Sequence, residues 1–176
     1  MGEKIVKGYV QVYTGAGKGK TTAALGLALR AAGAGLRVYI CQFMKSGEFS
    51  EIKALRRFAD QITVEQFGTG RFIKGQPAPE EIEAGLRGLA RLKEAVMGMG
   101  FDLVIAEEAN VAVSCGLFST AQLCELIDHK PEDLELVITG RDAQPEVIAR
   151  ADLVTEMKAV KHYYFQGVVA RVGIEK

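Results

Sequence analysis

The feature that leaves this chain least freedom is a glycine-rich turn, Thr14-Gly-Ala-Gly-Lys-Gly-Lys-Thr-Thr22, set between an alternating run, Gly8 to Tyr13, and an Ala/Leu-rich run, Thr21 to Ala34. Alternation of apolar and polar residues marks a strand and the Ala/Leu run a helix, so the turn joins a strand to a helix N-terminus. Glycines at such a turn let several backbone N–H groups converge on phosphate oxygens, and the helix adds the positive end of its dipole. The turn closes on Gly19-Lys20-Thr21, where Lys20 supplies charge and Thr21 a hydroxyl suited to magnesium. The pattern G-x-x-x-x-G-K-[ST] would need Gly at position 14, where Thr14 stands with Gly15 one step late, so the loop is a variant. A dinucleotide fingerprint is excluded, because Lys20 occupies its third glycine position.

The same beat of strand and helix runs on. Arg37–Phe43 and Ile62–Phe67 read as strands around a helix over Ser50–Phe58 with Ser50 as N-cap. Pro79–Met99 carries apolar residues at steps of three and four, the pattern of one buried helix face. Phe101–Ala106 and Leu134–Thr139 are apolar strands, and between them Ser119-x-x-Gln122 opens a helix to about His129 as a capping box. Pro145–Ala151 reads as a short helix, and Leu153–Met157 and Val168–Ile174 as strands. Strands alternating with helices imply right-handed β-α-β units, hence a three-layer α/β architecture of the P-loop NTPase-like (RecA-like) kind. Its sheet is mostly parallel, covered by helices on both faces, and spans residues 1–176 as one domain. Ligands then gather at the carboxyl ends of the strands.

Composition narrows the function. With 22 Lys+Arg against 22 Asp+Glu and no basic run, nothing suits the chain to nucleic acid. No apolar run approaches the ~18 residues of a membrane span, and the start, MGEKIVK, has no apolar leader core, so the expected location is cytoplasmic. Cys41, Cys115 and Cys124 stand far apart without a C-x-x-C pair and read as buried thiols in a reducing compartment.

Three further clusters fall at strand ends. Glu107-Glu108-Ala-Asn110 follows an apolar strand, where an acid faces the loop threonine across adjacent strand ends and holds Mg²⁺, or else is a solvated terminus. Thr139-Gly-Arg141 places an Arg at the next strand end, as a phosphate fork or a solvated loop residue. Phe67 and Phe72 lie in the long Gly/Pro stretch Phe67–Pro79 and either line a flat ligand site or pin the loop. His162 is the histidine nearest these segments, while His129 is placed to cap a helix end.

Taken together, GAGKGKTT, EEAN after an apolar strand, ITGR, and the late ADLVTEMKAVKH with G-x-x-A-x-x-GIE resemble the ATP:corrinoid adenosyltransferase family over nearly the whole chain. The resemblance implies transfer of the 5′-deoxyadenosyl group of ATP to Co(I) of a corrinoid, in adenosylcobalamin biosynthesis, with release of triphosphate. ATP then lies reversed relative to most P-loop proteins, with C5′ toward the corrin. Gly15, Gly17, Gly19, Lys20, Thr21 and Thr22, with Ala16 and Lys18 between them, inherit triphosphate binding, and Arg141 a phosphate contact. Thr21 and Glu108 match the magnesium positions, with Mn²⁺ as an alternative ion. Glu107 stands where the family usually has Asp, which leaves direct or water-mediated metal contact open, and Ala16 stands where members commonly carry Asn. An aromatic before the long helix displaces the corrinoid's lower axial ligand in the family. Phe72 is the candidate for that role, with Phe67 behind it, in a chain without Trp. Lys20, Glu108 and Phe72 are thus the implied catalytic residues. A homodimer and an electron-donor protein or reduced flavin are the implied partners. A P-loop kinase or ATPase, and an ATP- or corrinoid-binding module without turnover, are the competing readings.

Overall fold

The computed structural model describes residues 5–98 and 100–176. Six strands form one parallel sheet: β1 (Val10–Thr14), β2 (Val38–Phe43), β3 (Ile62–Phe67), β4 (Leu103–Glu107), β5 (Glu135–Thr139) and β6 (Leu153–Glu156), in the order β3-β2-β4-β5-β1-β6. The helices are α1 (Lys20–Gly33), α2 (Ser50–Leu55), α3 (Pro79–Gly98), α4 (Ala109–Ser114), α5 (Thr120–Asp128) and α6 (Pro145–Ile148).

Strand parity decides which layer each side chain joins. On β2, Val38 and Ile40 face Ala24, Ala28 and Ala31 of α1, while Tyr39, Cys41 and Phe43 face Leu89 and Leu92 of α3. On β4, Leu103 and Ile105 go with α1 and Val104 and Ala106 with α3. The central strands are apolar on both faces, as a sheet covered on both sides requires. The three-layer expectation therefore holds, with every strand pair parallel.

Helix α3 lies close to the sheet because Gly88 has no side chain. A Cβ there would stand 2.7 Å from Phe43 Cε1 and 2.9 Å from Phe67 Cβ, and the Gly88 carbonyl accepts from Cys41 Sγ at 3.6 Å. Gly88→Ala is expected to cost about 1–3 kcal/mol through overpacking. At about 2–4 °C per kcal/mol for a chain this size, thermal unfolding should show Tm lower by roughly 2–12 °C. An unchanged Tm would mean that α3 is free to shift outward.

Several local expectations are corrected. Ser50 is the first helical residue of α2, not its N-cap: Phe49 takes that place, and the Ser50 hydroxyl donates to the Lys176 carbonyl at 3.0 Å. Val168–Ile174 is no strand. Gly167 (φ 79°) and Gly173 (φ 78°) are left-handed at its two ends, and Ile174 and Glu175 turn back onto the Arg171 carbonyl, so local turns replace ladder pairing. Cys41 and Cys124 are buried but Cys115 is only partly so. Met99, the expected last residue of α3, lies outside the described residues. The capping box is present, with Ser119 Oγ accepting from Gln122 N at 3.2 Å, and His129 Nδ1 donates to the Glu125 carbonyl at 2.7 Å at the end of α5. Among the described residues no helix is long and apolar enough to cross a membrane.

Candidate active site

The Gly-rich turn leaves β1 and enters α1 with Gly15 (φ 94°) and Gly19 (φ 122°) in the left-handed region, and no side chain caps the helix. The N-terminal amides of α1 are thus left to a ligand anion. Gly17 packs against the segment after β6: its N–H donates to the Met157 carbonyl at 2.6 Å, and a Cβ would meet that oxygen at the same 2.6 Å. The Lys20 ammonium donates to the carbonyls of Gly15 and Gly17, both at 2.7 Å. Burial holds its pKa below the ordinary lysine value.

The acid facing Thr21 is Glu107, not Glu108. Thr21 Oγ1 donates to Glu107 Oε1 at 2.5 Å, although β5 lies between β1 and β4, so the two strand ends are not adjacent as expected. Helix α1 closes the gap by crossing above β5 and β4. Parity explains the choice: Glu107 continues the face of Leu103 and Ile105, which is the face α1 covers. Glu108 instead turns the chain from β4 into α4 with φ 60°, its N–H donating to Thr139 Oγ1 at 3.0 Å. Burial, and next the neighbouring Glu107 carboxylate, push the Glu108 carboxyl above its ordinary pKa.

Lys45, which the sequence reading missed, completes the acid's surroundings. Its ammonium donates to Glu107 Oε1 at 3.1 Å and lies 3.1 Å from Oε2, which accepts no hydrogen bond from the described residues. Glu107 is fully buried. The rule that ligands gather at strand carboxyl ends would have found Lys45, two residues beyond β2.

Among the described residues three that are not glycine have left-handed backbones: Met44 (φ 59°), Glu108 (φ 60°) and Asp142 (φ 56°). They follow β2, β4 and β5, so all of them bend loops around the same sheet edge. Each such conformation costs on the order of 1–3 kcal/mol, and strain of that kind concentrates at functional sites.

Two cavities meet at this edge. One, of about 710 Å³, runs along Gly17 to Thr22 and is closed on its other side by His162 and the chain end Gly173–Lys176. The other, of about 370 Å³, lies between Phe72 and Ile73 of the long loop and Met44 after β2 and Val111 of α4. Lys45, Glu108 and Arg141 line both. Phe72 is 91% exposed, its ring presented to the second cavity. Phe67 is elsewhere: it pairs with Phe43 at the end of β3 and packs on the core, because its place in the β-ladder directs the ring against α3. Gly15 and Ala16 do not line the cavity, Ala16 being exposed to solvent and Gly15 contributing its carbonyl to Lys20. Lys18 is held by the chain end, its ammonium 2.9 Å from both Tyr163 Oη and Glu175 Oε1.

A divalent cation suits these groups. The Thr21 hydroxyl and the two glutamates are hard oxygen donors, and Glu107 Oε2 is a buried carboxylate oxygen without a hydrogen bond. Among the described residues no three His, Cys, Asp or Glu side chains cluster as metal ligands, so phosphate oxygens and water must complete the shell. That is the way Mg²⁺ is commonly held.

Comparison with known proteins bears on what this edge is for. The family described as ATP:corrinoid adenosyltransferase BtuR/CobO/CobP matches residues 6–175. The chain belongs to this family. A corrinoid adenosyltransferase of Pseudomonas aeruginosa is 32% identical over 170 residues, covering 96% of this chain and 84% of the relative. One of a Sinorhizobium species is 30% identical over 96% of this chain and 80% of the relative. One of Escherichia coli K12 is 29% identical over 96% and 86%.

Proposed function

We propose that this protein transfers the 5′-deoxyadenosyl group of ATP to the Co(I) of a corrinoid and releases triphosphate. One observation carries the reading: a phosphate-loop cavity and an aromatic-rimmed cavity share Lys45, Glu108 and Arg141 as a common wall. ATP with its triphosphate on the loop reaches that wall with C5′, and a corrinoid in the second cavity presents its metal there.

In the transfer, Co(I) donates an electron pair to C5′ as the C5′–O bond breaks, and the bonding electrons leave with triphosphate. Charge on the leaving oxygens grows as that bond lengthens. Lys20 and the amides at the start of α1 stabilise it from fixed positions, and the Arg141 guanidinium on the shared wall adds its charge. Preorganised donors in a partly desolvated cleft are worth most at that moment. Mg²⁺ or Mn²⁺, when bound, neutralises part of the triphosphate charge, held by Thr21 and Glu107 with Glu108 beside them. The Lys45 ammonium, 3.1 Å from both Glu107 oxygens, holds that carboxylate in place against Thr21.

Phe72 takes the place of the corrinoid's lower axial ligand, which eases reduction of Co(II) to Co(I) by an electron-donor protein or reduced flavin. The enzyme works in the cytoplasm, as a homodimer. Because the Phe72 ring is almost wholly exposed, Phe72→Ala should leave stability within about 0.5 kcal/mol of wild type. Its effect should depend on the starting state of cobalt. With Co(II) and reductant the rate is expected to fall about tenfold or more, about 1.4 kcal/mol or more on the barrier, whereas chemically prepared Co(I) should react within about threefold of the wild-type rate. Electron paramagnetic resonance of bound Co(II) checks the cause: the wild type gives a four-coordinate signal and the variant does not. An equal loss from both cobalt states would remove Phe72 from this role.

Phosphorus NMR of the products separates the transferase from a kinase or ATPase on the same fold. Triphosphate alone supports the transferase, and ADP with phosphate overturns it.

A further inference from the structure

The chain end 157–176 lies against the phosphate loop without a hydrophobic anchor. None of the residues from Lys158 to Lys176 is buried, and its large apolar side chains, among them Val160, Phe165 and Val172, point to solvent. Its first residue, Met157, is bonded through its backbone to Thr14 and Gly17, and beyond that residue what holds it is a polar hub. The Glu175 carboxylate is the common acceptor for Lys18 Nζ at 2.9 Å, for Arg171 N at 2.9 Å and Nη2 at 3.0 Å, and for the Tyr163 hydroxyl. Its side chain is only 16% exposed. Lys18 belongs to the loop, and Tyr163 and Arg171 to the chain end, so this one carboxylate joins two segments more than 140 residues apart in sequence. A smaller bond assists, from Ser50 Oγ to the Lys176 carbonyl.

The joined segment is also a wall. Gly173, Ile174, Glu175 and Lys176 line the phosphate-loop cavity opposite α1, together with His162. The hub thus ties that wall to Lys18 of the loop.

We infer that Glu175 is a positioning residue for ATP: through Lys18 and Tyr163 it latches the chain end across the phosphate loop, and the latched chain end forms the outer wall of the nucleotide cavity. The inference rests on the assignment of that cavity to ATP. Docking of the chain end and ATP binding are then linked, each strengthening the other by the same factor. A charged acceptor with several donors is the strong kind of hydrogen-bonding group, and the Glu175 carboxylate is taken up by Lys18, Tyr163 and Arg171, so its removal is felt through the wall those bonds hold.

The test compares Glu175→Gln, Glu175→Asp, Lys18→Ala, the Lys18→Ala/Glu175→Gln pair and Lys20→Ala, using Mg-ATP as the probe. Calorimetry on the full chain should show the ATP Kd raised about tenfold in Glu175→Gln, the equivalent of one charge-assisted hydrogen bond. In turnover the increase should appear in KM for ATP, with kcat at saturating ATP and KM for the corrinoid nearly unmoved. Glu175→Asp should recover part of the affinity. The double variant should be no worse than the weaker single one, since both remove the same link. Hydrogen exchange should show amides 163–176 losing protection in Glu175→Gln and regaining it at high ATP. Unchanged or tighter ATP binding in Glu175→Gln, or losses that add in the double variant, would overturn the latch. If Lys20→Ala also binds ATP normally, the cavity assignment itself fails. If Lys20→Ala loses ATP and Glu175→Gln does not, only the latch fails.

Discussion

Lys20→Ala is expected to lower ATP affinity and adenosyl transfer by about 10²–10³-fold, the loss seen when one preorganised donor to a developing oxyanion is removed. The side chain is almost buried, with its ammonium within 2.7 Å of two loop carbonyls, so its position is fixed by the loop and not by an opposing acid. A fixed cation keeps its strength because no reorganisation is needed when phosphate arrives. Its depressed pKa has the same origin: burial disfavours the charged form until an anion restores the balance. The fold should survive, since Lys20 belongs to neither hydrophobic cluster. Calorimetric titration with Mg-ATP, alongside circular dichroism, checks both halves. Retained affinity with a native spectrum would take Lys20 out of the site, and a collapsed spectrum would make the loss of binding uninformative, in which case Lys20→Met, which keeps the stem, decides.

The second large effect concerns the two acids. Glu107→Gln should reduce transfer by about 10²-fold or more and weaken the dependence on divalent cation. It keeps the shape but removes the buried charge that Thr21 and Lys45 both face. Glu108→Gln should do less. Neither Thr21 nor Lys45 bonds its side chain, as both bond Glu107, and its αL backbone is one a glutamine can also adopt. Activity titrated against Mg²⁺ at constant ATP gives the ranking. A larger loss from Glu108→Gln would return the principal metal position to Glu108. Glu107→Gln also leaves Lys45 without its nearer acid, the remaining one being Glu51 at 4.0 Å. Part of the loss should therefore be a fall in thermal stability, read separately from the activity.

The fold was legible because its layers repeat one rule. Period-two runs alternating with period-3.6 runs lead to parallel β-α-β units, and β1 through β5 fall where that rule puts them. The loop was legible because glycines, lysines and threonines of that spacing have a specific electrostatic use. Which of two adjacent glutamates faces Thr21 was legible too, had strand parity been followed from Leu103 through Ile105 to Glu107. The family pattern pointed one residue further on. The chain end was not legible. Val168–Ile174 has the β-branched composition of a strand, yet no position beside an unpaired strand claims it. Its conformation is set by Gly167, Gly173 and a carboxylate that finds a lysine 157 residues away. Lys45 was legible as a strand-end residue of the site, but its partner was not: nothing in its local sequence signals an acid at position 107.

The measurement closest to the central claim follows the adenosyl group itself. ATP labelled in the adenosine moiety is incubated anaerobically with the protein, Mg²⁺ and chemically reduced corrinoid, and the label on the corrinoid is counted against triphosphate released. The account predicts one label per triphosphate, with loss of the Co(I) spectrum and growth of an alkyl-cobalt band at the same rate. Tight ATP binding with label remaining in ATP or ADP, and Co(I) unconsumed, would contradict it.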